Sequence, residues 1–429
     1  MLLNFEITNW ACFKSPASFT MQATGEQRNK ETLIDIGTPA RPMRILPVAA
    51  IYGNNAAGKS QLVLAMAFLR SLVVGEYKNP LAHLQPFRFD DATARAPVTF
   101  KIQLLAETKA YELEIVIAGN GILKERLSVF NSRLTQSTPL YVREGNRLVE
   151  SNLADSAYGN LYKSRDIAPS SLFLSMAVEG GVEDGRLRTV VSWFANTLTI
   201  ILPSSSYMPA ENFTGDSEIA RRTNDYLARF DTGLSRIEAR PVPADQIHPD
   251  TKEDLRELMR PGKKIGFRAG DLLFELEDGR ISAKRLFGVH RARNATGLSR
   301  LRMLRESDGT LRMLDLIPIL CNHSSGDAAS SVFVVDEIDR SLHSMITKAI
   351  VEEFIRSGSP SSRNQLVFTT HDLSLMRGPL LRHDEMWRVE KNLLGESDLL
   401  DLAAFKGLRA ETNIESLYRQ GRFGGIPHL

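Results

Sequence analysis

The chain has 429 residues, 43% hydrophobic and 24% charged, with 53 basic against 51 acidic side chains. This excludes a disordered, collagenous or purely coiled-coil chain, and a length about three times the roughly 150 residues of a typical domain predicts two or three lobes. Only Cys12 and Cys321 are present, in no C-x-x-C pair, and neither a signal peptide nor an apolar run longer than Ile45 to Tyr52 occurs, so a disulfide framework, a structural zinc site and a membrane span are not expected.

Residues 2 to 8 alternate as a strand at Leu3, Phe5 and Ile7, and Pro16 with the polar stretch through Lys30 then interrupts the pattern. Residues 45 to 52 are continuously apolar, as for a strand covered on both faces. Leu62, Leu64, Ala65, Phe68, Leu69 and Leu72 follow at helical spacing. From Thr99 to Phe130 three strand-like runs are separated by a polar turn and by Gly119-Asn120-Gly121, a hairpin signal. Helical spacing returns near Arg188 to Leu198 and Ile219 to Phe230, and Pro241, Pro243 and Pro249 mark a turn or linker. From Ser331 strand and helix signals alternate: VFVVD, a helix from about Ser344, QLVFTT and EMWRVE. The two ends read as one α/β unit split by a central insertion, without repeats or sustained heptads.

Gly53-Asn54-Asn55-Ala56-Ala57-Gly58-Lys59-Ser60 is a complete G-x-x-x-x-G-K-S between a predicted strand and a predicted helix. Glycines let backbone N–H groups turn toward phosphates, and the helix start adds positive potential. Lys59 would reach the β- and γ-phosphates and the Ser60 hydroxyl would coordinate Mg²⁺. Val332 to Val335 ends in Asp336 and Glu337, placing two carboxylates where parallel sheets bind ligands. Asp336 suits the Mg²⁺ shell and Glu337 a base acting on water. A second buried strand ends in Thr370-His371-Asp372, and His371 there could bond a γ-phosphate or the water.

This order of phosphate loop, long insertion, acidic strand and strand-tip histidine resembles the ABC-type ATPases of the SMC, RecF and OLD group. Within it the chain is similar to the stand-alone AAA-labelled ATPases of bacterial phage-defence clusters, such as the ATPase subunit of PARIS systems. The resemblance takes in Asn9-Trp10 with Phe13, Pro86-Phe87, Asp231-Thr232-Gly233, Glu306 to Thr310, Asp336 to His343, Thr370 to Asp372, Arg382 to Lys391 and Gly421 to Pro427, and carries little between 135 and 280. It implies an α/β P-loop NTPase head of ABC type with an antiparallel β subdomain and a mainly helical central insertion. The lobes would be 1–134, 135–280 and 281–429. It also implies ATP with Mg²⁺ and ATP hydrolysis in a homodimer or higher homo-oligomer, with a separate effector protein, and the lack of a leader-like or membrane-length apolar segment makes a cytoplasmic location the expectation. Ser307 and Gly309 match the Ser-x-Gly that binds the γ-phosphate held by the opposite subunit, although Ser or Asp before a helix is also an ordinary cap. Asp339 would be the subunit-crossing acid. Gln85 lies near where such enzymes place a Mg²⁺- and water-coupled glutamine, and equally reads as a solvated loop residue. Trp10 and Phe13 could approach an adenine ring or belong to the core.

Between Arg280 and Arg305 stand eight basic residues and no acid. Such a strand face could meet a phosphate backbone or an acidic partner, or be a solvated strand pair. Arg285 and His290 also fit an R-x4-H ribonuclease pattern that abundant arginine makes uninformative. No Asn-Lys-x-Asp motif supports a GTPase. A transporter subunit is disfavoured by the unusual signature. The 58 residues after His371 are expected to finish the core, so a fused nuclease is not expected among them.

Overall fold

A computed structural model describes residues 1–429 except 37–42, 78, 132–133, 205–206, 208, 214, 231, 244–265, 278–279, 324–329, 359–361, 406–412 and 425–429. Asp231, Pro249 and Gly425 to Pro427 therefore lie outside the described residues. The chain divides into two compact units, one of residues 1–200, 328–338 and 358–429, the other of 201–327 and 339–357.

The first unit holds two large sheets. One is antiparallel and seven-stranded, with Leu2–Thr8 between Ala17–Thr20 and Val98–Ala106, followed outward by Lys109–Ala118, Gly121–Phe130, Ser137–Glu144 and Arg147–Ser151. The Ala118–Gly121 pair closes the hairpin at the Gly-Asn-Gly turn. Its strands alternate buried and half-buried positions, as a sheet with one covered face requires. Beneath that face Glu125 and Arg143, both fully buried, hold a local ion pair at 3.5 Å. Glu125 also accepts the N–H groups of Phe173 (2.7 Å) and Leu174 (2.9 Å), pinning the start of the helix Phe173–Glu179 with a charge that complements its positive end.

The other sheet is six-stranded, in the order Leu198–Ile201, Val332–Val335, Gln365–Thr369, Val48–Tyr52, Met386–Lys391 and Ser397–Asp401. Val332–Val335, Gln365–Thr369, Val48–Tyr52 and Met386–Lys391 run parallel to one another, and Ser397–Asp401 returns antiparallel. The three central strands are buried at every position. The long apolar run at 45–52 is broken, into Arg44–Ile45 and Val48–Tyr52, because Pro47 has no N–H to give a ladder. Gln365 ties the two sheets together. Its side-chain oxygen accepts from Leu2 N–H (2.6 Å) and its amide donates to the carbonyls of Leu2 (3.0 Å) and Leu46 (3.3 Å).

In the second unit the long strand Arg280–Arg291 has Arg236–Val242 along one side, and Leu272–Glu277 and Leu298–Arg302 share the other. Helices Glu218–Arg229, Asp308–His323 and Ser344–Ser357 accompany this sheet. Residues 135–280, read from sequence as mainly helical, thus mix short helices with strands, since Pro- and charge-rich segments such as Arg236–Val242 pair in an antiparallel ladder. The basic run belongs here, and much of it is matched by acids from nearby strands and the turn at Asp271. Arg300 meets Glu238 (2.7 Å), Arg302 meets Asp271 (2.6 Å) and Lys284 meets Glu275 (2.6 Å). The Arg300 guanidinium holds the Glu238 carboxyl down to about 2. No helix among the described residues is long and apolar enough to cross a membrane.

Candidate functional site

Val48–Tyr52 leads into the Gly53 to Ser60 loop, and the helix Lys59–Val74 leads out of it. Gly58 has φ 120°, and a Cβ there would stand 2.6 Å from Cys12 Sγ; one on Gly53 would stand 2.4 Å from the Val389 carbonyl oxygen. Side chains at either position would force the loop off its supports. The first helical turn contains Lys59 and Ser60 and no acid, so its orphan N–H groups and positive end are not neutralised locally. Lys59, buried, donates from Nζ to the carbonyls of Gly53 (2.8 Å) and Asn54 (3.1 Å). The loop is clamped from two remote segments. Ser397 Oγ donates to Ala57 O (2.6 Å) and Ser397 N–H to Cys12 O (2.7 Å), while Trp10 Nε1 donates to Gln61 O (3.0 Å). Burial raises the Cys12 thiol above its ordinary range, against a smaller opposing effect of the Ser397 hydroxyl.

At the end of Val332–Val335, Asp336 is buried and accepts a hydrogen bond from Thr369 Oγ1 at 2.6 Å. The same hydroxyl accepts the Glu337 N–H (2.8 Å), and Thr369 O accepts the Ile338 N–H (3.0 Å). Glu337 has φ 50°, a left-handed backbone costing a non-glycine residue roughly 1–2 kcal/mol. Thr370 N–H donates to Ile51 O (3.1 Å), and His371 follows, exposed. The strand carrying His371 lies between the strand carrying Asp336 and the strand carrying the loop, parallel to both. Three chemistry-bearing segments therefore leave the same carboxyl edge from adjacent strands, the usual ligand position of an open parallel sheet.

The second unit holds Ser307, Gly309 and Asp339. Ser307 Oγ accepts Thr310 N–H (3.1 Å), a conventional N-cap for the helix Asp308–His323. A Cβ on Gly309 would meet Ser341 O at 2.8 Å, so this helix start and the turn after Asp339 touch backbone to backbone. In that turn Asp339 O accepts Leu342 N–H (3.1 Å), and Ser341 has φ 59°. His343 caps the next helix, its Nδ1 accepting Met345 N–H (3.2 Å). Arg285 and His290 each face their own carboxylate, Asp271 at 3.9 Å and Glu306 at 2.8 Å.

A family model matches part of this chain. Its description is "AAA domain, putative AbiEii toxin, Type IV TA system", and it covers residues 195–377, less than half the length. That span includes Ser307, Gly309, Asp336, Glu337, Asp339 and His371 but not Gly53 to Ser60. Among solved structures, the chain is similar to an SMC head bound to the C-winged helix domain of ScpA, at 12% identity and TM-score 0.40 over 93% of this chain and 96% of that one. It is also similar to the SMC head domain from Thermotoga maritima, at 11% identity and TM-score 0.38 over 93% and 98%. No curated protein matches.

Gln85 is exposed, beside Ala11, Ala82, Arg88 and Phe89 in a surface hollow that includes no residue of the phosphate loop. Its backbone carbonyl accepts Ala11 N–H at 2.6 Å. Trp10 and Phe13 are core residues, with Trp10 packed on Phe68 and Phe100, which removes them from contact with a base. Among the described residues no three His, Cys, Asp or Glu side chains cluster to hold a metal by themselves. A hydroxyl and one buried carboxylate, Ser60 and Asp336, instead suit Mg²⁺ finished by phosphate oxygens and water. The sequence reading missed Thr369, Ser397 and Cys12. Thr369 is legible as the hydroxyl residue that ends the apolar run of the strand Gln365–Thr369. Ser397 stands 340 residues from Ala57 and leaves no local trace.

Proposed function

We propose that the chain binds ATP with Mg²⁺ at this edge, hydrolyses it, and thereby makes and breaks an assembly of two or more copies. What carries the reading is the convergence of Lys59, Asp336, Glu337 and His371 at one end of three adjacent parallel strands. Lys59 would exchange the Gly53 and Asn54 carbonyls for β- and γ-phosphate oxygens, replacing dipoles by full charges. The Ser60 hydroxyl and Asp336 would hold Mg²⁺, which neutralises phosphate charge when bound. Thr369 keeps Asp336 oriented and, through its contact with the Glu337 N–H, holds the backbone from which Glu337 takes the proton of the attacking water. His371 would bond the γ-phosphate. Ser307, Gly309 and Asp339 of one copy would complete the site of the other. An anti-phage role with a separate effector is supported by the sequence resemblance and by a matched family whose description names a toxin and a toxin–antitoxin system.

Single-turnover hydrolysis compares wild type with Glu337→Gln. Removal of the base is expected to slow turnover by about 100-fold or more while ATP binding persists. If both proteins bind ATP and are equally inert, the enzyme reading is wrong.

A further inference from the structure

The turn that carries His371 is held at both of its ends, and one hold comes from a helix that the nucleotide chemistry leaves unused. On the strand side Thr370 N–H donates to Ile51 O (3.1 Å). Beyond His371 the chain winds into the short 3₁₀ helix Leu373–Met376, whose Leu375 and Met376 are buried. Hydrogen bonds follow one another along this stretch. Asp372 N–H donates to Thr370 Oγ1 (2.9 Å), Asp372 Oδ1 accepts Ser374 N–H (2.9 Å), and Arg377 N–H donates to Ser374 O (3.1 Å). The Arg377 guanidinium then grips Glu415 on the helix Ile414–Arg419, with one bond from Nη2 to Oε1 at 3.0 Å and a second from Nε to Oε2.

Glu415 is buried, and it also accepts from Arg419 Nε (2.9 Å). The Arg377 guanidinium, aided by Arg419 and opposed by burial, keeps the Glu415 carboxyl below its ordinary range. Asn413 caps the start of this helix, its Oδ1 accepting Ser416 N–H (3.0 Å). Further along it, buried Tyr418 brings its ring to 6.3 Å from that of Tyr52, the last residue before Gly53. One short helix thus touches the His371 turn through Glu415 and the strand that feeds the phosphate loop through Tyr418. A forked bond between guanidinium and carboxylate fixes orientation as well as distance. The Arg377 side chain is 66% exposed, so water screens the pair and little of the fold's stability depends on it. What the pair supplies is position.

We infer that Glu415 and Arg377 are positioning residues that set the place of His371 relative to the phosphate loop. This rests on the proposed role of His371 at the γ-phosphate. Both side chains act through the turn. A misplacement of about 1 Å in a reacting group can cost about 100-fold in rate, and a turn released at one end loses part of that.

The test uses the full chain carrying Arg377→Ala, His371→Ala or both, read by single-turnover hydrolysis beside ATP titration. Arg377→Ala should slow hydrolysis by about ten-fold while ATP affinity stays within about two-fold of wild type, and Glu415→Gln should match it. The same change should have no further effect in the His371→Ala chain. Arg377→Lys, which keeps the charge, should recover part of the rate. No slowing, or equal slowing with and without His371, overturns the inference and leaves the role of His371 standing. A wild-type rate for His371→Ala overturns that role and the inference together. Hydrogen exchange of residues 372–377 needs no turnover. Arg377→Ala should speed those amides by about ten-fold and leave the helix Lys59–Val74 unchanged, which also shows that the variant folds. Unchanged exchange in 372–377 overturns the inference whatever the rates.

Discussion

At the scale of single residues, Thr369 does more than its position suggests. One hydroxyl donates to Asp336 and accepts from the Glu337 backbone, so the proposed metal ligand and the proposed base share one support. Thr369→Val keeps the shape and removes both bonds, leaving a buried carboxylate oxygen short of a donor, at about 1–3 kcal/mol. The expected result is a turnover number lowered by about 10- to 100-fold with ATP affinity nearly unchanged, measured by steady-state hydrolysis beside nucleotide titration. A fall in affinity matching the fall in turnover would show instead that Thr369 shapes binding. The left-handed backbone of Glu337 belongs to the same account, because strain at that residue persists only where neighbours such as Thr369 over-determine it.

At the scale of elements, the short segment Arg382 to Glu385 fixes the entry into the strand Met386–Lys391 and holds the N-terminal segment 24–28 against it. Arg382, fully buried, pairs with Asp384 (2.8 Å) and donates to the Glu26 carbonyl (3.1 Å), while Asp384 Oδ2 accepts from Thr24 N–H (2.8 Å) and Oγ1 (2.7 Å). Glu385, also buried, accepts Arg382 N–H (2.8 Å), and burial lifts its carboxyl to about 8. A folded value above the ordinary 4.5 means that its contribution is fully present below about pH 4.5 and is lost as pH rises toward 8. Asp401 is lifted the same way, to about 6, and the lowered value of His383, mainly from burial, acts oppositely at acidic pH. The Glu385 effect is therefore clearest between pH 6 and 8. Glu385→Gln should remove it, making the variant the more stable protein near pH 8 by a few kcal/mol and indistinguishable near pH 4.5. Thermal melts of both proteins across that range provide the comparison, and parallel curves would rule the effect out. Elements were legible in sequence where one physical signal dominated. The apolar run before Gly53, the Gly-Asn-Gly hairpin and the helix at Ser344 were of this kind. Between 135 and 280 no period dominates, and Arg236–Val242 becomes a strand only because Arg280–Arg291 pairs along it.

At the scale of the whole molecule, the net charge of +2 conceals local matching, since the basic run is partly answered by Glu238, Asp271 and Glu275. The candidate site was legible in its chemical groups, Lys59, Ser60, Asp336, Glu337 and His371, because phosphate chemistry dictates residue types at short spacing. Its remote supports were not, since Cys12 and Ser397 reach it from distant parts of the chain. Assembly is tested most directly at Gly309. A methyl there must push against Ser341 O, 2.8 Å away, so Gly309→Ala should bind ATP as wild type does yet fail to gain mass on ATP addition. Native mass spectrometry reads this, and ATP-driven mass gain equal to wild type would remove Gly309 from the assembly surface.

The bonds of Gln365 give the central strand a mechanical meaning. One end of Gln365–Thr369 is fastened to Leu2 and Leu46 by three side-chain hydrogen bonds, and the other precedes Thr370 and His371. Five extended residues span roughly 17 Å, and a strand laddered on both sides resists both stretching and bending. It is a short push-rod. A displacement at the edge that carries His371 would therefore be passed on to the first strand of the antiparallel sheet through these bonds.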